Sequence, residues 1–273
     1  MWQGNFWFAF LLTLLAGSAA GLGGAIALSS KKTNTRFLAG ALGFSAGVMI
    51  YVAFVELLPK GRGALTATKG MVAGSWLAAG AFFAGIIVIG LIDLLVPKST
   101  NPHHNMSYSD SIKCDEMPSD AKDGLARMGL VAALAIGVHN FPEGLATFAS
   151  ALQDRNLGIA ITIAVAIHNV PEGIAVAVPL FYATKNKRKA LGYALLSGMS
   201  EPIGALVGYL LLAPYFSDMV LGFLFAFVAG TMIFLSLDEL LPAARAYDKE
   251  HAAIYGLVAG MAVMAVSLLL FVK

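Results

Sequence analysis

The sequence predicts an all-α integral membrane protein with eight transmembrane helices in an inverted repeat (3+2+3), with kinked helices 4 and 5 at its centre. Three observations lead to this fold class. The 273 residues are 58% hydrophobic and only 12% charged, whereas soluble domains carry about 25% charged residues. Apolar runs of the length that spans a bilayer, about 20 residues, recur along the chain. Two sequence motifs each occur twice.

Eight apolar segments are long enough to cross a membrane as helices. Their predicted spans are 6–28, 37–58, 71–95, 125–152, 157–183, 190–213, 218–241 and 252–272. The connections are short except for a polar loop at about 97–123, so we expect residues 1–273 to form a single transmembrane domain. No Lys or Arg precedes the first run, although a signal peptide opens with basic residues. We therefore expect that run to be a retained helix.

The distribution of basic residues predicts the orientation. If the N-terminus lies outside, the inner loops hold thirteen of the eighteen Lys and Arg residues, as the positive-inside rule requires. Both termini are then outside. The net charge is only +2 and the basic residues form short clusters between apolar runs, so nucleic acid is not an expected partner. A single cysteine, Cys114, excludes an internal disulfide framework and a CxxC metal site.

The two repeated motifs predict an internal repeat. A-G-x-M-I…E-L-L-P occupies 46–59 and returns at 229–242, and H-N-x-P-E-G occupies 139–144 and returns at 168–173. In the predicted topology the two copies of each motif lie on helices of opposite direction. Inverted repeats of this kind are typical of secondary transporters, whose substrate site lies near the midplane where the repeats meet.

Polar residues of three helices are predicted to meet at one depth. An ionisable residue at a helix centre costs about 2.5–3.5 kcal/mol on insertion scales, so it indicates function by default. His139, His168 and Glu201 lie about fourteen, eleven and eleven residues into their helices, which is a similar depth at about 1.5 Å per residue. The spacing i, i+4 puts Glu143 on the face of His139, and Glu172 on the face of His168.

Other residues of these helices complete the predicted site. Asn140 and Asn169 follow the histidines, while Pro142 and Pro171 should kink their helices. Pro202 predicts a third distorted helix at the same depth. The predicted metal ligands are two imidazoles, two amides and three carboxylates: His139, Asn140, Glu143, His168, Asn169, Glu172 and Glu201.

The donor set predicts the class of ion. Nitrogen and oxygen donors without thiolate suit Zn²⁺, Fe²⁺, Mn²⁺, Co²⁺ or Cd²⁺, and suit Ca²⁺ or Mg²⁺ less, because those take oxygen shells. Three ionised glutamates carry −3, so one divalent ion leaves −1 and two give +1. Either two ions share bridging carboxylates, or protons replace the metal on release. The sequence leaves both alternatives open.

Further His, Asp and Glu residues lie near the predicted mouths of the pathway. Glu56 is expected at the outer end of the second helix and is proposed to capture metal there. The inner mouth is expected to release it through carboxylates at helix ends and histidines in the adjoining segments. These inner residues are Asp93, His103, His104, Asp238, Glu239 and His251.

The sequence resembles the ZIP family of metal transporters, most closely its bacterial ZupT-type branch. The resemblance rests on both H-N-x-P-E-G motifs, on Glu201 and on S-L-D-E-L-L-P at 236–242, and extends over essentially the whole chain. It implies a bacterial inner membrane location with both termini periplasmic, and metal flow into the cytoplasm. It also implies alternating access, a binuclear-type site on helices 4 and 5, and broad use of zinc, iron, manganese and cadmium.

Three other functions compete with a metal importer. An intramembrane metalloenzyme needs an open metal position and a placed base, but the chain has no His-Glu-x-x-His pair; we expect no enzyme and no catalytic cofactor. A metal exporter or channel would use the same site. A metal-sensing receptor would need a signalling domain. The expected partners are the transported ions, Zn²⁺ with Fe²⁺, Mn²⁺, Cd²⁺ and Co²⁺, and the lipid bilayer. The oligomeric state stays open, with a homodimer as one arrangement.

Overall fold

A computed structural model describes residues 5–29, 35–95, 119–212, 215, 217–247 and 250–270, and the regular structure in these ranges is helical throughout. Eight helices follow one another: α1 Phe6–Ser29, α2 35–69, α3 Met71–Leu95, α4 Ser119–Gln153, α5 Arg155–Thr184, α6 187–212, α7 218–247 and α8 Ala252–Leu270. All except α4 meet the length and hydropathy of a membrane span within the described residues. The predicted class, an all-α integral membrane protein, is confirmed.

Helices α2 and α7 run further than predicted. Each contains a wide π turn, Ala53–Leu57 in α2 and Ser236–Leu240 in α7, and then continues as an α-helix. The expectation that the two helices end at their E-L-L-P motifs is therefore wrong. Proline is tolerated in the first turn of a helical segment, where its missing N–H is not needed, and each motif proline follows a π turn. The two π turns occupy equivalent positions of the predicted repeat.

Helix α6 is distorted next to Glu201. It consists of two α-helical segments, Lys187–Gly198 and Ser200–Leu212, separated by a turn at Met199. Glu201 lies in the first turn of the second segment, followed by Pro202. The prediction of a third distorted helix is confirmed. Most of the predicted loop at 97–123 lies outside the described residues, and α4 already begins at Ser119.

The helices form two bundles. Helices α1, α4, α5 and α6 pack on one another, and so do α2, α3 and α7, with α8 packed along α2. In the first bundle Gly17 and Gly198 face each other so closely that a Cβ on either would overlap the other's carbonyl oxygen. Gly144 packs in the same way on the backbone of Glu201, and Gly173 on that of Ala20. Small residues allow helix backbones to approach this closely in membranes.

The contact between the two bundles differs between the halves of the repeat. Helix α2 packs along α5, whereas α4 makes few contacts with α7. An apolar cavity of about 390 Å³ lies between α3, α4 and α7, and its walls include Val88, Val138, Phe141 and Phe227. The two bundles are therefore closely joined on the α5 side and separated on the α4 side.

Candidate metal centre

The two H-N-x-P-E-G motifs, which share one spacing, bring their polar residues into the protein interior. Asn140 and Glu143 of α4 are 0% and 3% exposed, and His168, Asn169 and Glu172 of α5 are 0–1% exposed. Both motif prolines lie inside helices that continue on either side. Since a buried polar group without a partner is costly, the partners of these side chains define the site.

Glu143 and His168 join α4 to α5. The Nε2 atom of His168 lies 3.2 Å from Oε2 of Glu143, and both side chains are almost fully buried. The carbonyl oxygen of His168 also accepts a hydrogen bond of 3.3 Å from the hydroxyl of Ser45 on α2. One histidine thus connects a carboxylate within its own bundle with a helix of the other bundle.

Asn169 and Glu201 join α5 to α6. The side-chain nitrogen of Asn169 donates to Oε1 of Glu201 and, at 2.9 Å, to the carbonyl oxygen of Ala16 on α1. Glu201 itself is 0% exposed. Three helices therefore bring carboxylates, an imidazole and an amide together, and α1 helps to hold the amide.

Several buried polar atoms of this site have no hydrogen-bond partner within the described part of the chain. They are both amide atoms of Asn140, Oε1 of Glu143, Oδ1 of Asn169 and Oε2 of Glu201. Most buried polar atoms in proteins are paired, so each exception needs an explanation. Four of these five atoms are oxygens, which is the donor chemistry that a hard or borderline cation accepts.

The described side chains alone do not form a complete ligand cage. Among them, no three His, Cys, Asp or Glu groups lie close enough together to hold one metal ion. The side chain of His139 lies outside the described atoms, and the amides of Asn140 and Asn169 are donors of another kind. The geometry thus shows linked pairs of donors rather than a closed coordination sphere.

The residues predicted at the mouths are only partly described. Glu56 lies in the π turn of α2, 2.6 Å from Lys60, and Asp238 and Glu239 lie in the π turn of α7. None of the three ends its helix, contrary to expectation. His251 is exposed beside the ring of Tyr255. The side chain of Asp93, and the whole of His103 and His104, lie outside the described residues.

Two residues near the site were not predicted from the sequence. Ser45 lies on α2, where only its contact with His168 draws attention to it. Thr147 is 1% exposed, and its hydroxyl has no partner within the described residues. The spacing of His139, Glu143 and Thr147, four residues apart each time, is a signal that could have identified Thr147 as part of the same helix face.

Fold and site together define a multi-helix membrane transporter with a buried His, Asn and Glu centre. Residues 5–268 match the family described as ZIP zinc transporter. Similar proteins named zinc transporter ZupT occur in Clostridium perfringens (56% identical, covering 98% of this chain and 97% of the relative) and in Lysinibacillus sphaericus (57% identical, 99% and 100%). Another, from Oceanobacillus iheyensis, is 56% identical over 97% of this chain and 98% of the relative.

The chain therefore belongs to the ZIP zinc transporter family. Membership confirms the resemblance stated from the motifs, and it confirms the predicted function class, a divalent-metal transporter rather than an enzyme. The helices that could span a membrane make it a multi-pass membrane protein.

Proposed function

We propose that this chain imports Zn²⁺ into the cytoplasm, and that Fe²⁺, Mn²⁺, Cd²⁺ and Co²⁺ use the same route. One observation carries the proposal: Glu143, His168, Asn169 and Glu201 link three helices deep inside the protein, while Oε1 of Glu143, Oδ1 of Asn169 and Oε2 of Glu201 have no hydrogen-bond partner among the described residues. The similar bacterial proteins are named zinc transporters, which supports zinc as the main cargo.

The proposed ligands come from α4, α5 and α6. The imidazoles suit zinc and iron and the carboxylates suit manganese, so one mixed set can serve several ions. Asn140 and Asn169 would add neutral oxygens that lower the number of charges needed. The full proposed set is His139, Asn140, Glu143, His168, Asn169, Glu172 and Glu201.

The charge of the site limits how metal is bound and released. Glu143, Glu172 and Glu201 are each at most 3% exposed, and three ionised carboxylates without a cation repel one another at low dielectric. Two metal ions sharing carboxylates, or one ion that exchanges with protons, would both satisfy this limit. Metal uptake that is indifferent to a proton gradient would remove the second arrangement.

Alternating access is proposed to occur by movement of one bundle against the other. The sparse contact between α4 and α7, with the apolar cavity beside it, supports this step. Packed cores resist continuous deformation, so relative motion is easiest where two bundles share little buried surface. The Ser45 to His168 contact would be one of those broken and remade.

Capture outside and release inside are proposed for the charged residues near the mouths. Glu56 is the proposed capture residue, and it is half-buried beside Lys60. Asp238 is exposed and Glu239 is half-buried in the second π turn. The proposed release group is Asp93, His103, His104, Asp238, Glu239 and His251.

The remaining parts of the proposal concern the cellular setting. Residues 1–273 would act as one transport domain in a bacterial inner membrane, with both termini periplasmic, as the positive-inside rule favours. A homodimer is the simplest assembly to test, by cross-linking in membranes. Labelling of cysteines introduced at the two ends of α1 from one side of the membrane would measure the orientation.

The central test is metal uptake into cells that express defined variants. Glu143→Ala, Glu172→Ala and Glu201→Ala should each abolish most zinc uptake at equal membrane expression. Glu250→Ala is the matched control, because Glu250 is exposed and pairs with Arg36 near the start of α2. Full uptake by the first two variants would falsify the proposed site.

A second experiment measures flux in liposomes with metal on one side only, with and without a pH gradient. It separates an importer from an exporter or channel.

A further inference from the structure

Thr147 differs from every other buried hydroxyl in the described part of the chain. Eight Ser and Thr side chains are buried there: Thr13, Ser45, Thr147, Ser150, Thr162, Ser197, Thr231 and Ser236. Seven of them donate to a backbone carbonyl oxygen. Six of these seven use a carbonyl three or four residues earlier in their own helix, which is the usual choice for a helical hydroxyl.

The hydroxyl of Thr147 does not use the carbonyl available to it. Its oxygen is buried and has no partner among the described residues, although the carbonyl of Glu143 lies four residues earlier. Threonine in a helix either bonds that carbonyl or turns its oxygen elsewhere. The oxygen of Thr147 therefore makes no hydrogen bond to that carbonyl. A buried hydroxyl without a partner is energetically costly unless another group forms a hydrogen bond with it.

Two neighbours on α4 share this property. Asn140, Glu143 and Thr147 lie at i, i+3 and i+7, so they occupy one face of the helix. Oε1 of Glu143 and both amide atoms of Asn140 are also buried without a partner within the described residues. Helical side chains lean toward the N-terminus of their helix, which directs Thr147 toward Glu143. Three side chains spaced over about two turns of α4 thus present unused polar atoms along one line.

The inverted repeat contains a natural comparison. Glu143 corresponds to Glu172 in the second motif, so Thr147 corresponds to Val176 of α5, which is 0% exposed. Valine has the shape of threonine without the oxygen. The hydroxyl is therefore a feature of α4 alone and is not needed to pack the equivalent position on α5.

We propose that the Thr147 hydroxyl is a specificity-determining oxygen for the transported ion, one turn to the outer side of Glu143. It contacts the ion directly or through one of the ion's water molecules, before the ion reaches the histidine-containing site. Neutral oxygens suit Mn²⁺, whereas imidazoles suit Zn²⁺, so this oxygen should favour the harder ion. The inference rests on the proposed function, because it places Thr147 on the path to that site.

The test compares Thr147→Val with Thr147→Ser in purified protein reconstituted into liposomes. Zinc uptake is measured at increasing Zn²⁺, and then at fixed Zn²⁺ with increasing Mn²⁺ as a competitor. Thr147→Val should raise the half-inhibiting Mn²⁺ concentration about five- to tenfold, the size of one lost hydrogen bond of this kind, and change the KM for Zn²⁺ by about twofold or less. Thr147→Ser should behave like the wild type.

Matched controls separate this role from a structural one. Thr162→Val removes a buried hydroxyl that donates to the carbonyl of Gly158, and it should leave both values unchanged. Thr147→Val removes an unpaired polar group, so its melting temperature should stay equal or rise. Equal Mn²⁺ inhibition in Thr147→Val and wild type would overturn the inference, as would a wild type that Mn²⁺ does not inhibit. A wild type that takes up no zinc would instead contradict the proposed function.

Discussion

Glu201 and Ala20 occupy equivalent positions of the inverted repeat. Gly144 of α4 packs on the backbone of Glu201, and Gly173, its counterpart on α5, packs on the backbone of Ala20. Gly17 of α1 and Gly198 of α6 face each other three residues before Ala20 and Glu201. The backbone is thus nearly symmetric around the site, but only α6 supplies a carboxylate there. The third charge of the site therefore breaks the symmetry of the repeat.

This asymmetry gives a test of what Glu201 contributes. Glu201→Gln removes the charge but keeps an oxygen that accepts from the Asn169 amide, whereas Glu201→Ala removes both. If the carboxylate binds metal, both variants should weaken zinc binding about tenfold or more, since hydrogen bonds and contacts to charged groups are the strong ones. Titration of purified protein with zinc measures the affinity. Wild-type affinity in Glu201→Gln alone would show that Glu201 only positions Asn169.

The close backbone contacts predict which glycines tolerate a methyl group. A Cβ at Gly144 or Gly173 would overlap a carbonyl oxygen of the facing helix, so Gly144→Ala and Gly173→Ala must separate α4 from α6, or α5 from α1. Overpacking destabilises a folded protein by about 1–3 kcal/mol. Because the facing group here is rigid backbone, we expect both variants to lose stability at the upper end of that range. Thermal unfolding in detergent should show clear destabilisation of both.

Gly192 provides the matched control for those variants. It lies on α6, and a Cβ there would meet no atom within 4 Å. Gly192→Ala should be neutral or more stable by about 0.5–1 kcal/mol, because alanine restricts the unfolded chain and favours helix. Equal destabilisation at Gly144 and Gly192 would contradict the close packing of α4 on α6.

The fold could be predicted from the sequence further than the site could. Hydropathy places the third helix at 71–95, and the structure has it at Met71–Leu95. The sequence does not predict the extension of α2 beyond Pro59, because a π turn leaves no hydropathy signal and the segment that follows it carries Lys60, Arg62 and Lys69. A sequence pattern shows where apolar residues lie, but not how a helix accommodates a proline.

The sequence also does not predict which side chains of the site contact one another. The i, i+4 spacing places Glu172 on the face of His168, but it does not predict that Glu143 of the neighbouring helix lies 3.2 Å from the His168 ring. Equal depth predicted that α4, α5 and α6 meet, and they do. Which side chains contact one another depends on the rotation of each helix, and that is set by packing at positions such as Gly144 and Gly173.

The apolar cavity predicts a variant that binds metal but transports it slowly. Val138 of α4 lines the cavity, and Val138→Phe would occupy part of it. If the cavity closes when the bundles move, the added ring destabilises the closed conformation by about 1–3 kcal/mol. Uptake should then be about 5- to 150-fold slower than in the wild type. Zinc affinity measured without transport should stay close to that of wild type.

Ile87 supplies the control for that variant. It lies on α3, one of the three helices that line the cavity, but its side chain is 58% exposed, so Ile87→Phe adds similar bulk toward the surroundings of the protein rather than between the bundles. Uptake by this variant should match wild type. Slow uptake by both variants would indicate that bulk on either helix is harmful and that closure of the cavity is not the cause.

The π turn of α2 predicts opposite effects for two neighbouring charges. Glu56 lies 2.6 Å from Lys60 and is partly exposed. If Glu56 attracts metal at the outer mouth, Glu56→Gln should raise the KM for zinc about fivefold at low salt. This factor corresponds to the attraction of roughly 1 kcal/mol between two close charges in water. Lys60→Ala removes the competing cation, so it should lower the KM. Maximal rates should not change, because neither residue lies at the buried centre.

Both effects on the KM should fade at high ionic strength, where charges at the surface are screened. A KM that rises in both variants would indicate that the ion pair stabilises the π turn and that Glu56 does not capture metal.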